Sequence, residues 1–330
     1  MNIFFVTSFG SIYDRVIPTI EQHKDELNIV VPTTDDMYRF FSKYTDYILF
    51  KTDIHPDLLK REDSIFTILK NIKRSKQEYE ERFSTFKNCN IYFFGYSCAI
   101  NIYSYLQKLS KKNKLICILS NKEIKNWEIK NDIKSKSMNL FTKIFLGIDT
   151  EIMTVGKNYF FQLSPKFFDK NNVEIIKVPS HTKPKLTIDI MKDKNIFVEL
   201  SDSRNFGYNP EKFVDTANTI IKVLNKQFNY AIKAHPLMPW LPENIKKGSE
   251  LPSFIPAEFV LSDKLQYVIG IESYTLIRAK NLTNAKVISL INLFEFDDKN
   301  RKQIIIDWLK KESDNIIFPK TFEEFVSVIS

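Results

Sequence analysis

The sequence predicts an α/β protein made of two Rossmann-like domains, and two observations support that fold class. Short apolar runs alternate with amphipathic helical patterns from the start of the chain, which is typical of a largely parallel sheet covered on both faces. The alternation stops at Val178–Lys185, where two prolines and small polar residues indicate a linker, and then restarts. A length of 330 residues also favours two domains. We therefore predict domains over residues 1–180 and 190–330 that face each other across a ligand-binding cleft.

The first domain begins with an apolar run that we interpret as a strand, because the N-terminus lacks the basic region and long apolar stretch of a signal peptide. Amphipathic patterns predict helices at Leu58–Phe83, Ala99–Leu109 and Met138–Leu146. The predicted strands of this domain are Ile3–Thr7, Leu27–Val31, Tyr47–Phe50, Ile91–Phe94, Leu115–Leu119, Tyr159–Leu163 and Val173–Val178.

The second domain repeats the alternation of strands and helices after the linker. Its predicted strands are Ile196–Leu200, Tyr230–Ala234, Tyr267–Ile271 and Val287–Ile291. Its predicted helices are Pro210–Leu224, Thr275–Lys280, Arg301–Lys311 and Phe322–Ile329.

The chain carries a formal charge of +8, which raises the question of a nucleic-acid partner. The lysines are scattered over helical faces and no Arg-rich arm or nucleic-acid-binding motif is visible, so we predict no nucleic-acid binding. The densest basic stretch runs from Lys108 to Lys136. Such a stretch is typical of a solvated face, and its functional alternative is attraction to an anionic membrane surface or a negatively charged acceptor.

Cysteine content and hydropathy indicate the compartment. Cys89, Cys98 and Cys117 fall in or beside predicted core strands and lack the spacing of metal ligands, which favours reduced, buried thiols. No apolar run reaches the roughly 20 residues of a membrane-spanning helix. We expect a cytoplasmic protein, with peripheral attachment to the inner membrane as an additional hypothesis.

Three motifs of the second domain place polar side chains after predicted strands. Residues 230–236 read Tyr-Ala-Ile-Lys-Ala-His-Pro, residues 255–258 read Ile-Pro-Ala-Glu, and residues 270–276 read Gly-Ile-Glu-Ser-Tyr-Thr-Leu. In an open parallel sheet such groups gather at the carboxyl edge, where ligands bind. An imidazole and hydroxyls beside a helix N-terminus suit a phosphate, and a carboxylate suits ribose hydroxyls. The alternatives are a strand end with a turn for the first motif and simple helix capping for the others.

The order of these motifs resembles the nucleotide-binding half of bacterial sialyltransferases of the GT-B fold, closest to the polysialyltransferase and lipooligosaccharide sialyltransferase families. The resemblance covers roughly residues 190 to 290, and the first half only as a general βα pattern. It implies an inverting, metal-independent transfer of sialic acid from CMP-sialic acid to a glycan or glycolipid acceptor of the cell surface, such as capsule, lipooligosaccharide or O-antigen. It implies no cofactor.

The resemblance also implies roles for individual residues. His235, Ser273 and Thr275 match the positions that contact the CMP phosphate, and Glu258 matches the acidic residue suited to the ribose. The other substrate-binding residues predicted from the same motifs are Lys233, Pro236 and Gly270.

Two departures from the family pattern concern the hydroxyl motif and the catalytic base. Tyr274 separates Ser273 from the next hydroxyl residue, and the acidic motif expected after Leu115–Leu119 is missing. The segment in its place offers Glu123 and Glu128, which we predict as alternative catalytic bases, with Asp202 as a third candidate from the second domain.

Two further loops are candidates by position. Ser8 and Gly10 follow the first predicted strand and are candidates for the acceptor side, with an ordinary βα turn as the equal alternative. Asp202 and Arg204 follow a strand of the second domain, where Arg204 is a candidate contact for a donor carboxylate or else part of a solvated loop.

The chemistry of the donor agrees with the resemblance. CMP carries a single phosphate, so there is no pyrophosphate for a divalent metal to bridge, and preorganised hydrogen-bond donors can stabilise the departing group. The alternatives are a transferase for another CMP-activated acid (Kdo, legionaminic or pseudaminic acid) and a non-catalytic GT-B protein that binds a nucleotide. A UDP-sugar enzyme would need a site for a second phosphate.

Overall fold

The chain divides into two compact units, Met1–Leu186 and Thr187–Ser330. The backbone amide of Lys185 donates to Glu21 at 2.9 Å, so the end of the predicted linker is tied to the first unit. The computed structural model describes residues 1–52, 65–95, 100–120, 133–146, 150–155, 158–163, 165–178, 183–191, 193–200, 207–235 and 240–330.

The first unit is built on a parallel sheet of six strands in the order β3-β2-β1-β4-β5-β8, with a β6-β7 hairpin beside it. The strands are β1 (Asn2–Val6), β2 (Asn28–Pro32), β3 (Ile48–Leu49), β4 (Asn90–Phe94), β5 (Lys114–Ser120), β6 (Thr150–Val155), β7 (Asn158–Leu163) and β8 (Glu174–Val178). The helices are α1 (Ile17–Gln22), α2 (Asp35–Tyr44), α3 (Ile65–Glu78), α4 (Ile100–Leu109), α5 (Ile133–Leu146) and α6 (Pro165–Lys170).

The sheet of the first unit forms because its central strands are apolar on both faces. Every residue of β1 is buried; Phe4 stacks on Tyr92 of β4 with ring centroids 4.7 Å apart, and Phe5 packs against Phe83 with ring centroids 5.5 Å apart. Part of the long helix predicted at Leu58–Phe83 lies outside the described residues; the described part is α3, which continues as a π-helical turn at Tyr79–Phe83.

The second unit repeats the same topology, with six parallel strands in the order β11-β10-β9-β12-β13-β14. The strands are β9 (Ile196–Glu199), β10 (Tyr230–Lys233), β11 (Glu250–Leu251), β12 (Tyr267–Gly270), β13 (Lys286–Ser289) and β14 (Ile316–Ile317). The helices are α7 (Pro210–Gln227), α8 (Tyr274–Leu282), α9 (Lys299–Glu312) and α10 (Phe322–Ile329).

Both sheets therefore follow the doubly wound order in which the first strand lies at the centre and the chain switches direction beside it. The prediction of an α/β protein with two Rossmann-like domains is confirmed. One predicted strand, Val287–Ile291, is too long: β13 ends at Ser289, because the amide of Leu293 bonds back to the carbonyl of Leu290 at 2.9 Å and closes a 3-10 turn.

Side chains of the second sheet alternate between two environments. Ile196 and Val198 of β9 join an apolar core with the buried face of α7 and with Phe325 of α10. The residues between them, Phe197 and Glu199, point to the opposite face of the sheet. On that face α8 packs against β12 and β13, so Glu199 ends its strand on the side of the sheet that α8 covers.

Candidate functional site

The carboxyl edge of the second sheet aligns the last residues of its central strands. In the parallel register Gly270 of β12 lies between Glu199 of β9 and Ser289 of β13. Ile232 pairs with Val198, which brings Lys233 of β10 level with Glu199. The switch point of the sheet lies between β9 and β12, where open α/β folds bind their ligands.

Glu199 is a buried carboxylate at this switch point, with only 4% of its surface exposed. Its Oε2 accepts a hydrogen bond of 2.7 Å from the hydroxyl of Ser273. The sequence analysis did not single out Glu199, although an acidic residue at the end of the apolar strand Ile196–Glu199 is a recognisable signal, because buried carboxylates are rare unless they are hydrogen-bonded or paired.

Ser273 is the N-cap of α8, as the alternative interpretation of its motif predicted. Its Oγ accepts a hydrogen bond of 3.1 Å from the amide of Thr275 and donates its proton to Glu199. The hydroxyl therefore has protein partners on both sides, and a phosphate would compete with Glu199 for its proton. Thr275 is itself buried in the first turn of α8.

His235 follows β10 at the same edge of the sheet, and its side chain is half-buried. Burial lowers the pKa of His235; the negative charge of Glu199 acts in the opposite direction and the positive charge of Lys233 adds to the lowering. Because the pKa lies below its ordinary value, the imidazole is mostly neutral at pH 7, and it gains a proton on acidification or when an anion binds beside it.

Two other residues predicted to bind substrate make contacts within the protein, and their substrate-binding roles stay predictions. The ammonium group of Lys233 is buried and donates to the carbonyl of Ala234 at 3.1 Å. A Cβ added to Gly270 would lie 3.2 Å from a methyl carbon of Leu276 and 3.4 Å from the carbonyl oxygen of Glu199. Gly270 thus allows α8 to lie close to the sheet, which brings Ser273 within reach of Glu199.

Glu258 lies in a short 3-10 turn, Ala257–Phe259, and its side chain is half-buried. The turn packs against α8, so the acidic motif and the hydroxyl motif are neighbours in the fold although they are separated in sequence. A ribose contact from Glu258 stays a prediction.

Arg278 is a second polar residue that the sequence analysis missed. It lies one turn beyond Tyr274 on α8 and is 5% exposed. Its guanidinium carbon is 5.2 Å from the centroid of the Tyr274 ring, which is itself 43% exposed. The spacing of Tyr274 and Arg278, four residues apart on a helix, is the signal from which this contact could have been predicted.

In the first unit, the predicted acceptor-side loop is a 3-10 turn at Phe9–Ser11. The carbonyl of Ser8 accepts hydrogen bonds from both the amide and the hydroxyl of Ser11, the latter at 2.7 Å. A Cβ on Gly10 would meet only the Ser8 hydroxyl, at 3.8 Å, so the backbone does not require glycine there. The turn leads into a π-helical segment that carries a buried pair, Asp14 and Arg15, with Oδ1 and Nε 3.3 Å apart.

Five predicted site residues lie outside the described residues: Glu123, Glu128, Pro236, Asp202 and Arg204. Of the basic stretch, the described lysines include Lys108 and Lys114: the ammonium of Lys108 lies 4.3 Å from the centroid of the Tyr79 ring and 3.7 Å from Glu80, and that of Lys114 lies 2.6 Å from Glu174. These lysine side chains therefore already have partners within the protein.

Within the described ranges no group of three or more His, Cys, Asp and Glu side chains is arranged to hold a metal ion, and no helix is long and apolar enough to cross a membrane.

No family model matches the chain, and no curated protein matches it. Among solved structures, the glycotransferase of kitacinnamycin is 10% identical, with 99% of this chain and 89% of that chain covered and a TM-score of 0.46. The glycosyltransferase SnogD from Streptomyces nogalater is 7% identical over 100% of this chain and 98% of that one, with a TM-score of 0.41. UDP-N-acetylglucosamine 2-epimerase from Rickettsia bellii is 12% identical over 88% and 78%, with a TM-score of 0.42. Similarities of this size leave the function to be argued from the residues of the site.

Proposed function

We propose that the protein is a glycosyltransferase of the GT-B type that transfers sialic acid, or a related nonulosonic acid, from its CMP-activated form to a glycan or glycolipid acceptor. The observation that carries the proposal is the grouping of His235, the Glu199–Ser273 pair and the start of α8 at the carboxyl edge of a doubly wound sheet. This edge, at the switch point, is where such sheets bind nucleotides.

In the proposed reaction, the acceptor oxygen attacks the anomeric carbon while the bond between that carbon and the phosphate oxygen breaks. The electron pair of the broken bond goes to the phosphate, and CMP leaves with increased negative charge. His235 donates a hydrogen bond or its proton to that phosphate, and the partial positive charge at the start of α8 adds to the stabilisation. The acceptor proton passes to a carboxylate, for which Glu123, Glu128 and Asp202 stay the proposed candidates.

Glu258 is proposed to bind the ribose. A carboxylate can accept hydrogen bonds from both hydroxyls of one ribose, which fixes the nucleotide relative to the phosphate. The turn that carries Glu258 packs against α8, and this supports a common site for ribose and phosphate.

The acceptor in this proposal is an anionic or lipid-linked surface glycan, reached by a cytoplasmic enzyme at the inner membrane. Exposed lysines of the stretch from Lys108 to Lys136 would contribute about 1 kcal/mol each at an anionic surface, and salt would screen them. Lys108 is already paired within the protein, so its share is expected to be small.

The sequence also favours a second candidate, a non-catalytic nucleotide-binding protein, because the acidic motif expected after β5 is missing. An assay of CMP release separates the two. The protein is incubated with CMP-sialic acid and an array of glycan acceptors, and free CMP and glycosylated product are measured. Acceptor-dependent release supports the transferase, whereas CMP binding without turnover on any acceptor supports the binding protein.

The same assay tests the donor class through its dependence on metal. Because CMP carries one phosphate, we expect full activity in excess EDTA. Loss of activity with EDTA and recovery with Mg²⁺ or Mn²⁺ would point instead to a donor with a pyrophosphate.

A further inference from the structure

A buried carboxylate beside a site for an anionic phosphate needs an explanation. Glu199 ends a strand whose other residues, Ile196, Phe197 and Val198, are apolar and fully buried. Burying a carboxylate carries a desolvation penalty and would repel a phosphate, so an apolar residue would serve the core of this unit better.

The first contact of Glu199 is with the start of α8. Its Oε2 accepts the proton of Ser273, whose oxygen in turn accepts the amide of Thr275. The carboxylate, the capping hydroxyl and the first turn of α8 thus form one hydrogen-bonded chain. Gly270 permits these hydrogen bonds, because its missing side chain leaves room for Leu276 and so lets α8 approach the sheet.

The second interaction of Glu199 is electrostatic and acts on His235. Burial lowers the pKa of His235, the charge of Glu199 raises it, and the charge of Lys233 lowers it. Glu199 ends β9, which pairs with β10; Lys233 ends β10, and His235 follows two residues later. Glu199 therefore favours the protonated form of His235, against burial and the charge of Lys233.

We propose that Glu199 is the positioning residue of the phosphate site, holding the first turn of α8 through Ser273 and keeping His235 able to give a proton to a nucleotide phosphate. The inference rests on the proposed function for the identity of the ligand, a nucleoside monophosphate group. In this proposal Glu199 acts through Ser273 and His235, since its carboxylate is buried and its Oε2 already accepts the proton of Ser273.

The variant Glu199→Gln tests the electrostatic part, because glutamine keeps an acceptor for Ser273 and removes the charge. The pKa of the His235 imidazole is measured by NMR titration; the chain has four histidines, so His235→Asn identifies the signal. We expect a lower pKa for His235 in Glu199→Gln and no change in the control Glu211→Gln, an exposed glutamate in the first turn of α7. An unchanged pKa for His235 would overturn the inference.

The pH profile of kcat/KM for CMP-sialic acid provides a readout that a merely structural role would not move. In Glu199→Gln we expect about a tenfold loss at pH 7 and a shift of the profile to lower pH, since protonated His235 then forms only on acidification. Ser273→Ala keeps the charge at Glu199, so it should weaken CMP binding without shifting the profile. A profile that Glu199→Gln leaves in place, with activity lowered equally at every pH, would contradict the inference.

If Glu199→Gln does not fold, Glu199→Asp replaces it. Aspartate retains the charge but is too short for the same contact with Ser273. We therefore expect a pKa of His235 close to that in the wild-type protein, together with weaker CMP binding. A pKa well below the wild-type value would count against the inference. Failure of the proposed function gives a different result: wild-type protein that binds no CMP while Glu199→Gln still lowers the pKa of His235 removes the donor assignment and leaves the coupling of these two residues in place.

Discussion

The two units share one strand order and differ at the carboxyl edge of their sheets. In the first unit, two of the described polar groups at this edge bond to the backbone: Thr33 donates to the carbonyl of Val6 at 2.8 Å, and Ser11 donates to that of Ser8. In the second unit, Glu199 and Ser273 bond to each other beside a helix N-terminus and a histidine with a perturbed pKa. Among the described residues, the same strand order therefore carries different polar groups at the two edges, so the residues at the strand ends, and not the topology, distinguish them.

The largest expected effect is the loss of turnover when His235, at the carboxyl edge of the second sheet, is replaced. In His235→Ala, turnover of CMP-sialic acid should fall about a hundredfold, because the departing phosphate loses its main hydrogen-bond donor. Steady-state kinetics measure this. The control is His23→Ala in the first unit, whose ring bonds to Tyr92 and Glu26 and has no part in the second edge; its turnover should stay near normal. Similar losses in both variants would remove the distinction between the edges.

Glu258→Gln tests whether the carboxyl edge of the second sheet binds the ribose of the nucleotide. The loss of a charged acceptor for the ribose hydroxyls should weaken CMP binding about ten- to a hundredfold. Binding of free sialic acid, which has no ribose, should change little. Calorimetry on both ligands, with exposed Glu243→Gln as the matched control, checks this. Equal weakening for both ligands would show that Glu258 acts on the whole unit and not on the ribose.

Gly10→Ala tests whether the first edge has a function of its own. The added methyl would lie 3.8 Å from the Ser8 hydroxyl, so the fold accepts it. If Ser8 and Gly10 contact the acceptor, KM for the acceptor should rise by up to about tenfold while CMP affinity stays unchanged. Unaltered KM for every acceptor would leave this loop as an ordinary βα turn.

The smallest expected effect is on stability and concerns the contact that brings α8 to the second sheet. In Gly270→Ala the new methyl would lie 3.2 Å from Leu276, so we expect the free energy of unfolding to fall by about 1–3 kcal/mol. Gly10→Ala is the matched control, with ordinary contact distances around its methyl. Denaturant unfolding measures both, and Gly270→Ala combined with Leu276→Ala should recover part of the loss. Equal stability of the two single variants would contradict the packing role of Gly270.

Much of the fold could be predicted from the sequence because the central strands are apolar on both faces and the helices between them are amphipathic. The strands β1, β4, β5, β9 and β12 begin or end within one residue of the predicted positions. The short edge strand β14 was not predicted, because two residues hold too little pattern and their pairing depends on the neighbouring strand; the equally short β3 was predicted because it lies within the apolar run Tyr47–Phe50. The helix α2 was missed although Thr34 caps it and its buried residues Met37, Phe40 and Phe41 have helical spacing, so the signal for it was present in the sequence.

The candidate site could be predicted only in part. The motifs identified His235, Ser273 and Glu258 as neighbours because parallel strands bring their carboxyl ends to one edge. Pattern alone did not identify Glu199, since its role comes from the register that places it beside Gly270 and from the approach of α8. It also could not show that Lys233 and Gly270, predicted as substrate-binding, pack within the protein.

We propose that the carboxyl edge of the second sheet binds the nucleotide of a CMP-activated donor. Calorimetric titration of wild-type protein and His235→Ala with CMP, UDP and AMP tests it most directly. We expect wild-type protein to bind CMP more tightly than UDP or AMP, and His235→Ala to bind CMP more weakly. No preference for CMP, or the same affinity in His235→Ala as in wild type, would contradict it.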